Sequence, residues 1–224
     1  MSIAPDRILY EDEHLLIVNK RAGELVVAGG KNEGGGELPL FDYLRKDYPG
    51  LRVVHRLDYG TSGILVFART KEAVEKIRDS KFEGWEKRYR ALVAGRVDRR
   101  EGVIRKPLKA RTHEGLVEAV TQYKVLATYR DASYIEAKID TGRKHQIRQH
   151  FASIGHPLFF DPLYGDKKKD AAFRRHFRYK RFFLHAADLR LPHPITGEKL
   201  HIEASLPPSF EDVLNELRYV ELSR

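Results

Sequence analysis

Ile64-Leu65-Val66-Phe67-Ala68 is an unbroken apolar run entered through the tight turn Thr61-Ser62-Gly63. A short apolar run bounded by turn residues reads as a buried strand. Such a strand needs other elements packed over it, so this segment constrains the fold more than any other. Just before it stands His55-Arg56-Leu57-Asp58-Tyr59-Gly60. A rigid strand end is a good mount for a reactive group, because packing fixes the loop beside it. The nearest acid after Asp58 is Glu72. With Arg56 and His55 close by, the Asp58 carboxylate should stay ionised, as a nucleophile or electrostatic stabiliser rather than a general acid. The plainer role, Asp58 capping the turn through backbone N–H groups, remains open at this point.

The rest of the chain mixes strands and helices without a regular βαβ alternation. Arg7 to Tyr10 and Leu15 to Asn19 form a hairpin pattern. Pro39 to Tyr48 reads as a helix with Leu40 and Leu44 on one face, and Lys71 to Lys81 as a helix burying Ala73, Val74 and Ile77. Glu86 to Gly95 alternates as a strand, with Tyr89, Ala91 and Val93 on one side and Arg88, Arg90 and Leu92 on the other. Glu118 to Thr128 and Ser133 to Asp140 read as paired strands. Lys144 to Ile154 reads as a helix with the stripe Ile147, Phe151 and Ile154, stopped by Gly155. Phe182 to Leu191 and Lys199 to Ser205 are strands, and Pro207-Pro208 opens a last helix from Ser209 to about Leu217. The expected class is therefore α+β, a single domain over residues 1–224 with a largely antiparallel sheet. The glycine-rich stretch at about 28–37 lacks both G-x-G-x-x-G and a G-K-[ST] ending, so it reads as a mobile insert rather than a phosphate cradle.

The chain has 224 residues and no cysteine. That excludes a disulfide scaffold, a cysteine nucleophile and a thiolate zinc site, and suits a reducing cytosol. Met1 to Glu13 lacks the pattern of a secretory signal, and no apolar run approaches the roughly 20 residues that span a bilayer, so a soluble cytoplasmic protein is expected. Formal net charge is +9. The excess is concentrated in Lys167-Lys168-Lys169, Arg174, Arg175, Arg178, Lys180 and Arg181, interleaved with Phe173, Phe177 and Tyr179, and in a second group between Lys87 and Arg111. Phosphate neutralisation supplies most sequence-independent affinity for nucleic acid, so a polyanionic partner is expected and a membrane is not.

Two further segments carry chemistry. Gly142-Arg143-Lys144-His145-Gln146-Ile147-Arg148 surrounds a helix start, and on an ideal helix Lys144, His145 and Arg148 cluster beside the apolar stripe. An arginine at that margin can reach inward and grip a carboxylate in bidentate fashion. His145 and His150 are five positions apart and do not share a helical face, which argues against a metal site. Lys87-Arg88-Tyr89-Arg90-Ala91 sets one tyrosine on the apolar face of a basic strand, where it serves either as a stacking platform or as a core residue.

Together these segments resemble the RluA-like pseudouridine synthase family, from Ile8 through Ala186. His55-Arg56-Leu57-Asp58 with Thr61-Ser62-Gly63 matches its catalytic motif. Lys87-x-Tyr89-x-Ala91 matches its tyrosine strand, and Gly142-Arg143-x-His145-Gln146-Ile147-Arg148 its third motif. The resemblance implies the pseudouridine synthase fold, a mixed sheet flanked by helices with a basic catalytic cleft. It implies an enzyme that isomerises uridines in structured ribosomal or transfer RNA with no cofactor; the residues themselves suggest no metal and no obligate protein partner, and a monomer is the default. By the same resemblance Asp58 is the essential catalytic aspartate. Tyr89 packs under the flipped uracil, Arg148 salt-bridges Asp58, and Ile147 and Leu184 wall the uracil pocket. Arg56 enters the RNA stack as the target leaves, with His55, Arg143, Lys144 and His145 also set toward RNA.

Lys20-Arg21-Ala22-Gly23 departs from the family by placing arginine where proline is usual. The chain is also expected to start directly at the catalytic domain, with no N-terminal S4 domain, so that Lys167 to Arg181 would contribute RNA affinity. A non-catalytic RNA-binding protein is the alternative. A nuclease using His55 and Asp58 would need a metal or a paired acid and base, which the sequence does not offer.

Overall fold

The structure, a computed structural model, describes residues 3–28, 38–110, 115–175, 179 and 181–222, with side chains described through 219. The glycine-rich segment expected to be mobile lies outside these residues except for Ala28, and so do Arg111, Phe177, Arg178 and Lys180 of the basic segments. A 3-10 turn at Pro5–Arg7 leads into β1 (Ile8–Glu11), β2 (Leu15–Lys20), α1 (Leu40–Leu44), β3 (Arg52–Val53), β4 (Ser62–Ala68) and α2 (Lys71–Asp79). Then come β5 (Glu86–Ala94), β6 (Glu101–Arg105), β7 (Leu108–Lys109), β8 (Leu116–Val117), β9 (Val120–Thr128) and β10 (Ala132–Ile139). The chain closes with α3 (Gln146–Ser153), α4 (Lys167–Arg174), β11 (Leu184–Pro192), β12 (Lys199–Glu203) and α5 (Pro208–Leu222). The architecture is α+β, as the irregular mixture of patterns predicts.

The chain forms two compact units, Met1–Lys87 with Ala186–Ser205, and Arg88–His185 with Leu206–Arg224. Of the three internal boundaries, Ser205/Leu206 lies in the connector before Pro207-Pro208, while the other two fall inside strands, β5 and β11, rather than in Pro- or Gly-rich connectors. No shift in composition marks them.

In the first unit the strand order is β1-β2-β4-β11, with β3 also on β4 and β12 on β11. β2 and β4 are antiparallel, from Leu15 opposite Ala68 to Lys20 opposite Gly63. All seven residues of β4 are buried, which explains its apolar run. α2 covers this layer with Ala73, Val74 and Ile77, and its first turn is capped by Thr70 Oγ1, which accepts the Ala73 N–H. α1 buries Leu40 and Leu44 but is shorter than the sequence pattern. Its continuation through Tyr48 is a series of turns, because Pro49 disfavours helical geometry at the residue before it.

In the second unit the order is β5-β10-β9-β6. β9 and β10 are antiparallel, with a register shift between Tyr134 and Ile135. The core is aromatic: Phe159 and Phe173 have ring centroids 4.1 Å apart, and Phe183 lies 5.0 Å from Phe210. α5 presents Phe210, Val213, Leu214 and Leu217 to this cluster at helical spacing. α4 was not anticipated; Asp166 caps it by accepting the N–H groups of Lys168 and Lys169, and it buries Phe173. No helix among the described residues is long and apolar enough to cross a membrane.

Candidate functional site

Asp58 lies in the first unit, on the loop between β3 and β4. Leu57 is buried, while Arg56 is exposed and Asp58 half-buried, so the loop anchors itself on one apolar side chain between two polar ones. The turn closes through the backbone, Thr61 N–H to Asp58 C=O at 3.0 Å. Gly63 completes it with φ +105°, and a Cβ there would lie 2.2 Å from the Ala186 carbonyl oxygen. Only glycine allows that approach.

Two side chains tie this loop down. His55 Nε2 accepts the Val66 N–H at 3.0 Å, which puts the ring proton on Nδ1, and the ring packs edge-on against Trp85 at 5.7 Å. The residue keeps some accessible surface, yet its ring sits among densely packed atoms. Burial, helped by the Lys87 charge, pulls the imidazole down to about 3. Lys20 is fully buried, and its ammonium donates to the carbonyls of Arg21, Glu24 and Tyr59 at 2.9, 2.8 and 3.2 Å. The Gly23 N–H reaches the same Tyr59 carbonyl at 2.7 Å. The arginine that stands in place of proline has a structural use: the Arg21 backbone N–H donates to Glu24 Oε2 at 2.8 Å, a bond proline cannot make.

The second motif from Tyr89 onward and the whole of the third belong to the second unit. Tyr89 is buried on β5. Its neighbours Arg88 and Arg90 both pair with Glu136, Arg88 at 3.1 Å. Burial would raise the Glu136 carboxyl, but the two guanidinium groups outweigh it and hold it below the usual range. The strand therefore alternates as its sequence predicts, and two of the cations in the second basic group are neutralised within the fold.

The third motif differs from an ideal helix. α3 begins at Gln146, and His145 before it has φ 54° in the left-handed region, so Lys144 and His145 do not join Arg148 on a helical face. Gln146 causes this: its Oε1 accepts the Arg143 N–H and the Thr141 hydroxyl, and its Nε2 donates to the Val120 carbonyl at 2.9 Å. Arg143 and Lys144 are exposed, and His145 Nδ1 lies 3.1 Å from the Tyr164 hydroxyl. Ile147 and Leu184 are buried. Ile154 is 40% exposed, because the helix ends at Ser153 and Gly155 turns the chain away with φ +85°. His150 is a core residue, hydrogen-bonded to Thr121 Oγ1 and the Lys106 carbonyl.

Arg148 is buried and grips the carboxylate of Asp161 in bidentate fashion: Nε to Oδ2 at 2.6 Å and Nη2 to Oδ1 at 2.8 Å. The guanidinium also lies over Phe182 at 4.6 Å and Tyr164 at 5.3 Å. Burial alone would raise the Asp161 carboxyl. The Arg148 bonds and charge, with the Leu163 and Tyr164 N–H groups, hold it low instead. Sequence reasoning missed Asp161, Lys20 and Glu136. The turn residues of Asp161-Pro162-Leu163-Tyr164-Gly165 were the available signal for the first; nothing in sequence marks Lys20 as buried. A metal-type grouping of Asp188, His201 and Glu203 spans β11 and β12, and His201 Nε2 lies 2.6 Å from Asp188 Oδ2. As a partly exposed cross-strand hydrogen bond beside a second carboxylate it needs no ion to account for it.

Residues 14–153 match the family model described as RNA pseudouridylate synthase. The chain is similar to the ribosomal large subunit pseudouridine synthase C of Vibrio cholerae, 36% identical over 94% of this chain and 69% of that protein. It is likewise similar to the protein of that name from Escherichia coli K12, 36% identical over 95% and 70%. Among solved structures it resembles human RNA pseudouridylate synthase domain containing 4, with TM-score 0.77, 27% identity and coverage of 95% and 93%. Human RNA pseudouridylate synthase domain containing 1 follows, with TM-score 0.70, 25% identity and coverage of 97% and 98%.

Proposed function

The chain belongs to the RNA pseudouridylate synthase family, and on that premise we propose how its own residues isomerise uridine to pseudouridine. The reaction breaks the bond from C1′ to N1, turns the uracil and joins C1′ to C5. The C5 proton is lost and N1 gains one, so no redox partner or energy source enters. Asp58 acts at the ribose, either attacking C1′ or removing the C2′ proton. Its carboxylate must be charged and fixed in place, and Arg148 supplies the counter-charge. Tyr89 packs under the uracil, and Ile147 and Leu184 wall the pocket.

Removing the target from its stack costs a few kcal/mol, and Arg56 entering the vacated space offsets part of that. Arg143, Lys144 and His145 contact RNA near the target, with His55 supporting the loop that carries Arg56. The exposed Lys167, Lys168 and Lys169 of α4 extend a basic cleft along the RNA backbone. Residues 1–224 work as one catalytic domain, in the cytoplasm and without an obligate protein partner.

The observation that supports this most is the mounting of Asp58, on a turn anchored by Leu57, His55 and Lys20 beside a fully buried strand. The named relatives act on the large ribosomal subunit, and we assign this chain a uridine in ribosomal RNA. Pseudouridine maps of cellular RNA with and without the protein test the assignment. Loss of one or a few ribosomal sites supports it; unchanged ribosomal maps with a lost transfer-RNA site refute it.

A further inference from the structure

We infer that Asp161 is a positioning residue for the isomerisation, fixing the plane and direction of the Arg148 guanidinium. The inference rests on the assignment of Arg148 as counter-charge to Asp58. Asp161 grips the guanidinium side-on, through Nε and Nη2, so the Nη1 end is presented in a set direction. The ring of Phe182 at 4.6 Å and that of Tyr164 at 5.3 Å restrict the plane further.

Asp161 is itself held. Its Oδ1 accepts the N–H groups of Leu163 and Tyr164 at 3.0 and 3.1 Å, and its carbonyl accepts Gly165 N–H at 3.0 Å. A Cβ on Gly165 would lie 2.4 Å from that carbonyl oxygen, so the turn closes only around glycine. Side-chain exposures of 4% for Arg148 and 0% for Asp161 place the pair out of water.

Stability alone explains this poorly, since a buried ion pair contributes little beyond what well-packed apolar residues would. What the pair does supply is orientation. A long flexible cation is locked by two hydrogen bonds and two rings before substrate arrives, so no reorganisation is left for the reaction step.

The test measures single-turnover pseudouridine formation and RNA affinity for wild type, Asp161→Asn, Asp161→Glu, Arg148→Ala, Arg148→Lys and Arg148→Lys/Asp161→Asn. Each rate is normalised to the folded fraction from circular dichroism at the assay temperature. Asp161→Asn is expected to slow the step about tenfold or more per folded molecule while RNA Kd stays within about twofold. In the Arg148→Lys background the same change should cost less than about twofold, because the bidentate grip is already gone. Should Asp161→Asn fail to fold, Asp161→Glu takes its place: it keeps the charge but displaces the carboxylate, and the same loss is expected. A normal rate per folded molecule, or an equal loss in both backgrounds, overturns the positioning role. Loss of activity in Arg148→Ala beside a normal Asp161→Asn overturns that role alone. A normal rate in Arg148→Ala overturns the assignment of Arg148, and the role of Asp161 with it.

Discussion

The Val66 backbone N–H donates to Nε2 of His55 at 3.0 Å, so the first residue of the His55–Asp58 segment is tied to the middle of the strand that follows it. That bond requires a neutral ring, and burial lowers the imidazole from 6.5 to about 3. Between these values the unfolded chain binds a proton at His55 that the folded chain does not. The stability His55 contributes is therefore complete above pH 6.5 and declines as pH falls toward 3, by up to about 1.4 kcal/mol per pH unit. Urea unfolding from pH 5 to 7.5 should show wild type losing stability toward acid relative to His55→Gln, so the gap between them narrows. A gap constant with pH contradicts this.

Gly63→Ala should be strongly destabilising. The residue has φ +105°, and the added methyl would meet the Ala186 backbone at 2.2 Å. Strain and clash together should cost about 3 kcal/mol or more. Thermal unfolding checks it, and a Tm close to wild type would be inconsistent with the close approach of β4 and β11.

Lys20→Met tests the second tie. Three carbonyls lose a charged donor whose own side chain is fully buried, including that of Tyr59, one residue past Asp58. The loss should be about 1.5–3 kcal/mol, the range for hydrogen bonds to a charged group. Denaturant midpoints measure it; an unchanged midpoint would mean the carbonyls find other partners.

Much of this was legible in the sequence, for physical reasons that differ between segments. β4 and the β9–β10 pair announce themselves because burial on both faces, or on one, writes directly into side-chain polarity. α2 is legible for the same reason. The start of α3 is not, because Gln146 bonds back to Thr141 and Arg143 and excludes two residues that a periodicity argument includes. α4 is hidden by its charge, since it buries Phe173 and little else. The partner of Arg148 within its unit was also out of reach. A bidentate carboxylate was predictable in kind, but Asp161 is thirteen residues away, at the start of a turn whose closure depends on Gly165. Lys20 reads as a surface cation at the end of a strand, and only the three carbonyls gathered around its ammonium show otherwise.

Arg148→Ala should lose activity by about a hundredfold or more in a fraction that still folds, since the catalytic carboxylate would lose its counter-charge. RNA affinity should change little, because the buried guanidinium contributes nothing to phosphate binding. Rates per folded molecule and filter-binding isotherms separate the two effects. A large loss of affinity with a normal rate constant would contradict the role assigned to Arg148.

The most direct measurement uses ribosomal RNA tritiated at uracil C5, with tritium release followed for wild type and Asp58→Asn. Release by wild type, none by Asp58→Asn, and equal RNA binding by both is the predicted result. Release by Asp58→Asn at the wild-type rate would contradict the central claim that this one carboxylate performs the chemistry.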